Sequence, residues 1–184
     1  RNHETNEEYQ ETYDKLILSP GAAPTGMVPN VGSKDGVFTL RTVPDTLKIS
    51  DYIKEKNPKS AVVIGGGFIG VEMAENLTER GIPVTIIEFA PHIVASMDLE
   101  MANILHQHLQ SKGVNLLLNT GVTDLVSVDS HLHLNLTNKE ELDADLVISS
   151  VGVVPESNLA KAAGLGLGIR NTIGVNDQLH TSAP

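Results

Sequence analysis

The central part of the sequence alternates short apolar runs with segments of helical periodicity. The runs at 60–64, 83–88 and 114–118 are rich in Val, Ile and Leu, a composition that favours buried strands. Between them, residues 68–80 and 98–112 place apolar side chains at helical spacing, and each segment ends just before a glycine. This order of strand, helix, strand, helix and strand predicts an α/β fold with a Rossmann-like, doubly wound parallel sheet.

The residues before this unit carry weaker signals. The apolar run 15–18 is followed by Ser-Pro-Gly, which commonly ends a strand, so we predict a strand there. Repeated Pro and Gly over residues 22–36 indicate an irregular connection. Residues 45–56 fit an amphipathic helix that leads into the central unit.

After the central unit the hydrophobic period changes to two. Residues 121–128 and 131–136 are predicted as antiparallel strands joined by a tight turn at 129–130. We expect them to form a small antiparallel β-meander covering one face of the parallel sheet. Residues 144–150 predict a further buried strand, and residues 173–176 predict one more near the end of the chain.

Composition restricts the class of protein and its partners. Aromatic residues make up 3 % of the chain, so an aliphatic core is expected, and 23 acidic against 13 basic residues give a net charge of −10. We therefore expect neither nucleic acid nor a membrane as a partner. The absence of cysteine excludes a disulfide, a thiolate metal ligand and a thiol nucleophile within the chain.

Two features bear on the origin of the chain. It contains no apolar run long enough to span a membrane and opens on no signal-peptide pattern, so we expect a cytoplasmic protein. It begins at Arg1 rather than Met, so we expect a fragment or a processed product.

The strongest motif is Gly65-x-Gly67-x-x-Gly70, which lies between a predicted strand and a predicted helix. In dinucleotide-binding proteins the first glycine permits a tight turn, the second lets the pyrophosphate approach the backbone, and the third allows close helix–strand packing. The unpaired N–H groups at the helix start then face the phosphates. A glycine-rich turn without a ligand is the simpler alternative.

Glu88 is placed to complete such a site. It ends the second central strand, where a carboxylate binds the adenosine ribose hydroxyls in dinucleotide sites. No Arg or Lys follows it closely to accept a 2′-phosphate, so we expect NADH rather than NADPH. The same glycine pattern also binds FAD, and the flanking residues must decide between these cofactors.

The flanking residues resemble the pyridine nucleotide-disulfide oxidoreductases over nearly the whole chain. The segments that carry the resemblance are residues 13–24, 41–45, 65–81, 145–155, 175–176 and 181–184. Residues 41–45 and 65–81 are especially similar to coenzyme A-disulfide reductases and the related NADH oxidases and peroxidases.

The resemblance implies how the chain is divided. Residues 1–42 match the C-terminal remnant of an FAD domain with its linker, residues 43–152 the NAD(P)H-binding domain, and residues 153–184 a truncated return segment toward the FAD domain. In the family the FAD-binding glycine motif and the redox cysteine lie upstream. We therefore expect FAD in a homodimeric parent but not in this fragment, which would be non-catalytic and have the parent's FAD domain as its partner.

The resemblance also implies residue roles. Phe68 matches an aromatic position that covers the nicotinamide pocket in relatives, Glu72 matches a glutamate near the carboxamide, and Gly152 matches a backbone position in the dinucleotide groove. The predicted cofactor-binding residues are Gly65, Gly66, Gly67, Phe68, Ile69, Gly70, Glu72, Glu88 and Gly152. We predict no catalytic residue and no metal ligand.

Other interpretations stay open at this point. Phe68 could be a core residue that opens a helix, and Glu72 a solvated helix position. The chain could instead be a stand-alone NAD-dependent dehydrogenase, or a non-catalytic nucleotide-sensing or interaction module. The electron acceptor of the parent is equally open among coenzyme A disulfide, oxygen, peroxide and other disulfides.

The histidines offer no clear metal site. His106 and His108 are two apart on a predicted helix and do not share a face. His131 and His133 share a strand face, but no third ligand is evident nearby in the sequence. We expect surface roles for these four residues.

Overall fold

The computed structural model describes residues 1–25, 34–128 and 131–183. These residues form two compact units, one of Ala23–Val154 and the other of Arg1–Ala22 with Pro155–Pro184. In chain order the strands are β1 (Ala22–Pro24), β2 (Val37–Thr39), β3 (Ala61–Ile64), β4 (Val84–Ile87), β5 (Asn115–Leu117), β6 (Val122–Val128), β7 (His131–Leu136), β8 (Glu141–Ala144), β9 (Leu146–Ser149) and β10 (Val153–Pro155). The helices are α1 (Val43–Lys56), α2 (Phe68–Glu79), α3 (Leu99–Ser111) and α4 (Asn158–Ala162), and a 3-10 turn covers Ile169–Asn171.

A five-stranded sheet in the order β2-β9-β3-β4-β5 forms the centre of the larger unit, and all its strand pairs are parallel. The chain runs outward from β3 to β5 and then returns to β9 on the other side of β3. The direction in which the chain adds strands therefore reverses between β3 and β9, which makes the carboxyl ends of these two strands the switch point of the sheet. Such switch points are where ligands bind in open α/β sheets.

The two faces of the parallel sheet are covered by different elements. Ala61 and Val63 pack with residues of the three helices α1 to α3, in a cluster that includes Ala74 and Leu77. Val62 and Ile64 point to the opposite face, where they pack with buried leucines of the β6-β7-β8 sheet. All four residues of β3 are buried because both faces are covered. The Rossmann-like α/β fold with an antiparallel meander on one face is thereby confirmed.

Two sequence-based predictions of strands were wrong. Residues 15–18 belong to none of the three sheets of the described chain, and Ile17 is 88 % exposed, because an apolar run forms a strand only where a partner strand meets it. Residues 173–176 contribute only a single bridge, from Leu167 to Ile173. The buried strand predicted over 144–150 is confirmed as β9, although Ala144 belongs to the end of β8, and the expected turn at 129–130 lies outside the described residues.

The smaller unit holds little regular structure. It contains α4 and the 3-10 turn, and several of its apolar side chains are exposed, including Tyr13, Ile169 and Leu179. No helix in the described part of the chain is long and apolar enough to cross a membrane.

Asp145, between β8 and β9, ties the meander to the start of the parallel sheet. Its Oδ2 accepts the backbone N–H of Lys59 at 2.7 Å and that of Ser60 at 3.2 Å, and its Oδ1 lies 2.9 Å from Nδ1 of His131. Burial raises the pKa of Asp145, but these hydrogen bonds and the charge of His131 outweigh it, so the pKa lies below its ordinary value. The ionised carboxylate therefore stabilises the fold above the ordinary aspartate pKa, and this contribution is lost as pH falls through the lowered value.

We predict that Asp145→Ala lowers the free energy of unfolding by roughly 1–3 kcal/mol at neutral pH, because two backbone donors lose their acceptor. The matched control is Asp143→Ala, whose side chain is 71 % exposed and bonds to His133. That change should cost less than about 0.5 kcal/mol. Urea denaturation followed by circular dichroism measures both, and equal losses would contradict the role given to Asp145.

Candidate dinucleotide-binding site

The glycine loop begins where β3 ends. Gly65 has a φ of +100°, and its N–H donates to the carbonyl of Ile87 at 2.8 Å. A Cβ atom built on Gly65 would lie 2.5 Å from the backbone oxygen of Ser150, so both conformation and space require glycine. The Ser150 hydroxyl lies 2.9 Å from the Gly65 carbonyl and donates toward it. Sequence reasoning did not identify Ser150, because its contact depends on the pairing of β3 with β9.

Gly67 and Gly70 have opposite surroundings. A Cβ atom on Gly70 would lie 1.9 Å from the Gly65 carbonyl oxygen, so α2 can approach the loop only with glycine here. No atom lies within 4 Å of a Cβ built on Gly67, which leaves open space at the helix start. The first helical hydrogen bond runs from Val71 N–H to Gly67 O. The N–H groups of the preceding helical residues, Phe68 to Gly70, have no intrahelical acceptor and are available to an anion.

A groove of about 410 Å³ opens at the carboxyl ends of the central strands. Among the residues that line it are Gly65, Gly67, Glu88, Phe89, Gly121 and Gly152. The groove therefore runs along the glycine loop and the residues that follow β4 and β9. A larger groove, of about 570 Å³, lies between α2 and α3 and does not include the glycine loop, so it does not fit the predicted site.

Glu88 contacts the glycine loop directly. Its Oε2 accepts the backbone N–H of Gly66 at 2.6 Å, and its Oε1 accepts the N–H of Ala90 at 2.7 Å. Each carboxylate oxygen can accept a second hydrogen bond, so acceptor capacity remains for ribose hydroxyls. The side chain thus fixes the loop and presents acceptors at the rim of the groove.

The segment after Glu88 folds back over the glycine loop. Val94 N–H donates to the Gly66 carbonyl at 2.8 Å, and a Cβ on Gly66 would lie 2.6 Å from Cγ2 of Ile93. Val94 has a φ of +48°, which costs a β-branched residue roughly 1–3 kcal/mol and persists only where the surroundings fix it. Composition and periodicity gave no signal for this contact.

The expectation of a surface role for His106 was wrong. This side chain is 9 % exposed because the 89–97 segment packs onto α3. Its Nε2 accepts the backbone N–H of Ile93 at 3.2 Å. Burial lowers the pKa of His106, and the charge of His92 lowers it further. The neutral ring, with its proton on Nδ1, is the form that can accept this hydrogen bond.

The remaining predicted residues surround the groove or the helix start. Phe68 is 65 % exposed, which excludes the core interpretation, and Ile69 and Glu72 are also exposed on the first turns of α2. Gly152 lines the groove with a φ of +117°. The structure therefore brings together the glycines, Glu88 and Gly152, with Phe68 and Glu72 beside them on the helix.

The strand histidines bind carboxylates rather than each other. His131 Nδ1 lies 2.9 Å from Asp145, and His133 Nδ1 lies 2.7 Å from Asp143. The hydrogen bond to Asp143 raises the pKa of His133. Over residues 1–25, 34–128 and 131–183, no cluster of three or more acidic and histidine side chains could hold a metal ion.

The parallel sheet, its switch point and the glycine loop that opens α2 define a Rossmann-type α/β protein. Comparison with known proteins specifies the family. The chain belongs to the pyridine nucleotide-disulphide oxidoreductase family, whose pattern matches residues 1–184.

The chain is 35 % identical over 183 residues to the coenzyme A disulfide reductase of Staphylococcus haemolyticus, covering 100 % of this chain and 40 % of that protein. The fold is similar to that of reduced Bacillus anthracis CoADR-RHD, with a TM-score of 0.89 and 48 % identity over 98 % of this chain and 32 % of that one. The water-forming NADH oxidase of Lactobacillus brevis, bound to NADH, gives a TM-score of 0.83 at 26 % identity, over 97 % and 39 % of the two chains. The chain thus spans about two fifths of the length of the curated relative.

We predict that Gly67→Ala leaves the free energy of unfolding within about 1 kcal/mol of the wild-type value, because the site is open and φ is not positive. The same change should weaken NADH binding, since the added methyl group occupies the space for the pyrophosphate. Gly70→Ala should instead cost at least about 2 kcal/mol of stability, because its Cβ overlaps the Gly65 carbonyl.

Thermal denaturation and calorimetric titration with NADH separate these effects. Gly166→Ala serves as the control, since its Cβ would make only ordinary contacts with Ser182. A Gly67→Ala protein that bound NADH as tightly as the control would exclude a pyrophosphate position at the start of α2.

Proposed function

We propose that this chain is the NADH-binding part of an FAD-dependent pyridine nucleotide-disulfide oxidoreductase. The observation that carries the proposal is the contact of Glu88 with Gly66 beside the open start of α2. A carboxylate with spare acceptor capacity next to a helix start with unpaired N–H donors is the combination that a dinucleotide requires, and this supports the proposal. The relatives, which include a coenzyme A disulfide reductase and an NADH oxidase, support the same class of cofactor.

The role of the residues in this chain is to bind the dinucleotide and to orient it. The N–H groups of Phe68 to Gly70 hold the pyrophosphate, and Glu88 accepts the adenosine ribose hydroxyls. The backbone near Gly152 lines the path toward the nicotinamide, with the exposed Phe68 covering that ring and Glu72 near its carboxamide. NADH held in this way supplies a hydride to a flavin.

The flavin lies elsewhere in the proposed parent protein. The NAD(P)H-binding domain expected over residues 43–152 falls within the compact unit Ala23–Val154, and β2 adds an edge strand to its sheet. We propose that the flanking residues 1–42 and 153–184, apart from β2, belong with an FAD domain, which is the intramolecular partner of this one in a cytoplasmic homodimer. This fragment alone neither holds FAD nor catalyses the overall reaction, and the electron acceptor is selected by residues outside it.

The charges at the ribose end favour NADH over NADPH. Glu88 would repel a 2′-phosphate, and residues 89–98 contain no Lys or Arg. An engineered form of the Lactobacillus brevis oxidase, described as an NADPH oxidase and bound to NADPH, has lost one aspartate and gained two arginines. Loss of negative charge and gain of positive charge accompany the change of cofactor in that relative.

We expect the 184-residue chain to bind NADH with a Kd below about 1 mM and to bind NADPH at least tenfold more weakly, roughly the effect of one unfavourable charge contact. Glu88→Gln should weaken NADH binding about tenfold or more, because a charged acceptor becomes a neutral amide. Calorimetric titration with both nucleotides measures these affinities.

The matched control for that change is Glu75→Gln, at an exposed position on α2 that is outside the groove at the glycine loop. This variant should bind both nucleotides like the wild-type chain. A wild-type chain that bound neither nucleotide at millimolar concentration, or a Glu88→Gln variant that kept the full preference for NADH, would contradict the proposal.

Phe89 is 77 % exposed and follows Glu88 at the groove, next to Gly121. We predict that Phe89→Arg improves NADPH binding relative to NADH by about fivefold or more, because a guanidinium there can pair with the 2′-phosphate. Phe89→Gln is the uncharged control. A ratio of NADPH to NADH affinity unchanged in Phe89→Arg would place the ribose elsewhere.

A further inference from the structure

His106 is a buried titratable residue that the proposed function does not use. It lies on α3, outside the groove, and its Nε2 accepts the backbone N–H of Ile93. A buried histidine is commonly satisfied by a neighbouring side chain or by solvent. Here its partner is a backbone group of the segment that folds over the glycine loop.

That segment contacts the glycine loop through two adjacent residues. Ile93 packs on Gly66 so closely that no side chain fits there, and Val94 N–H donates to the Gly66 carbonyl. The N–H of the same Gly66 donates to Glu88. A continuous series of contacts therefore runs from His106 through Ile93, Val94 and Gly66 to the proposed ribose acceptor.

We propose that His106 is a positioning residue for dinucleotide binding, which holds the 89–97 segment against Gly66 and so sets the position of the glycine loop and Glu88. This inference rests on the proposed function of the site. The positive φ of Val94 supports it, because a valine in that conformation must be held by its surroundings, and the bond from Ile93 to His106 is next to it in the chain.

The protonation state of His106 gives the role a measurable signature. A doubly protonated ring carries a hydrogen on Nε2, so it cannot accept the hydrogen bond from the Ile93 N–H. The titratable group that faces His106 from the 89–97 segment is His92, whose Nδ1 lies 2.9 Å from the Ile93 carbonyl, and Glu88 lies on the other side of Gly66. Because the pKa of His106 in the folded chain is lowered from 6.5, the unfolded chain takes up this proton at a higher pH than the folded chain does. In the folded chain His106 therefore remains a neutral acceptor at pH 6.5 and above, and its hold on the Ile93 N–H is lost as pH falls through the lowered pKa.

The test compares three variants of the 184-residue chain with the wild type. His106→Leu removes the acceptor, whereas His106→Gln places an amide oxygen near the Nε2 position and does not titrate. His108→Gln is the matched control, since His108 is exposed on the same helix. Each protein is titrated with NAD⁺, which is stable in acid, between about pH 5.5 and 8, and hydrogen exchange of the 91–97 backbone is measured in the free proteins.

We expect His106→Leu to raise the Kd for NAD⁺ about five- to tenfold and to speed exchange at Ile93 and Val94. His106→Gln should bind like the wild type near pH 8 and lose less affinity than the wild type on acidification. The control should follow the wild type at every pH.

Two results would overturn the inference while leaving the proposed function intact. One is a folded His106→Leu protein whose Kd for NAD⁺ equals that of the wild type. The other is a pH profile of NAD⁺ binding that is the same for the wild type and for His106→Gln. If His106→Leu does not fold, the pH profile of His106→Gln decides the question. Failure of the wild-type chain to bind any nucleotide would instead refute the proposed function, and the inference with it.

Discussion

The close approach of α2 to the carboxyl ends of β3 and β9 is the constraint on which the rest of the larger unit depends. At this point the Ser150 backbone leaves no room for a side chain on Gly65, and the Gly65 carbonyl and the Ser150 hydroxyl leave none on Gly70. Because the helix starts so near the strand, its unpaired N–H groups lie next to the glycine loop, whose Gly65 and Gly67 line the groove. A looser junction would keep the layers of the fold but would direct those donors away from the site.

This constraint also explains how a chain with a net charge of −10 could provide the proposed site for an anionic nucleotide. The attraction comes from backbone N–H groups and the helix dipole, which do not depend on Lys or Arg side chains. The negative charge at the site, on Glu88, is directed at Gly66 and Ala90 N–H groups, so it is partly neutralised by the backbone. The acidic surface and the anion site are therefore compatible.

The parts of the fold that could be predicted are those in which a local pattern determines the structure. The three central strands and α1 to α3 were predicted within a few residues of their observed ends, because burial on both sheet faces makes strands continuously apolar and the helices amphipathic. The strands β2 and β8 were not predicted, since β2 has only three residues and Glu141–Ala144 mixes charge with apolar residues. The positions of Gly65, Gly67, Gly70 and Glu88 followed from spacing alone, whereas the roles of Ser150, Val94 and His106 depend on contacts between residues far apart in the chain or on an irregular loop.

Glu88 shows why such contacts matter for interpreting the site. From the sequence it is only a ribose acceptor, but in the structure both of its oxygens already hold backbone N–H groups, one of them in the glycine loop. Removing the carboxylate would therefore alter the loop as well as the proposed ribose contacts, and a loss of affinity in an alanine variant would not separate the two effects. Since the opposite side of Gly66 is held by Val94, the loop is fixed from two directions. The shape of the groove is thus a property of the β4–α3 connection as much as of the glycine motif.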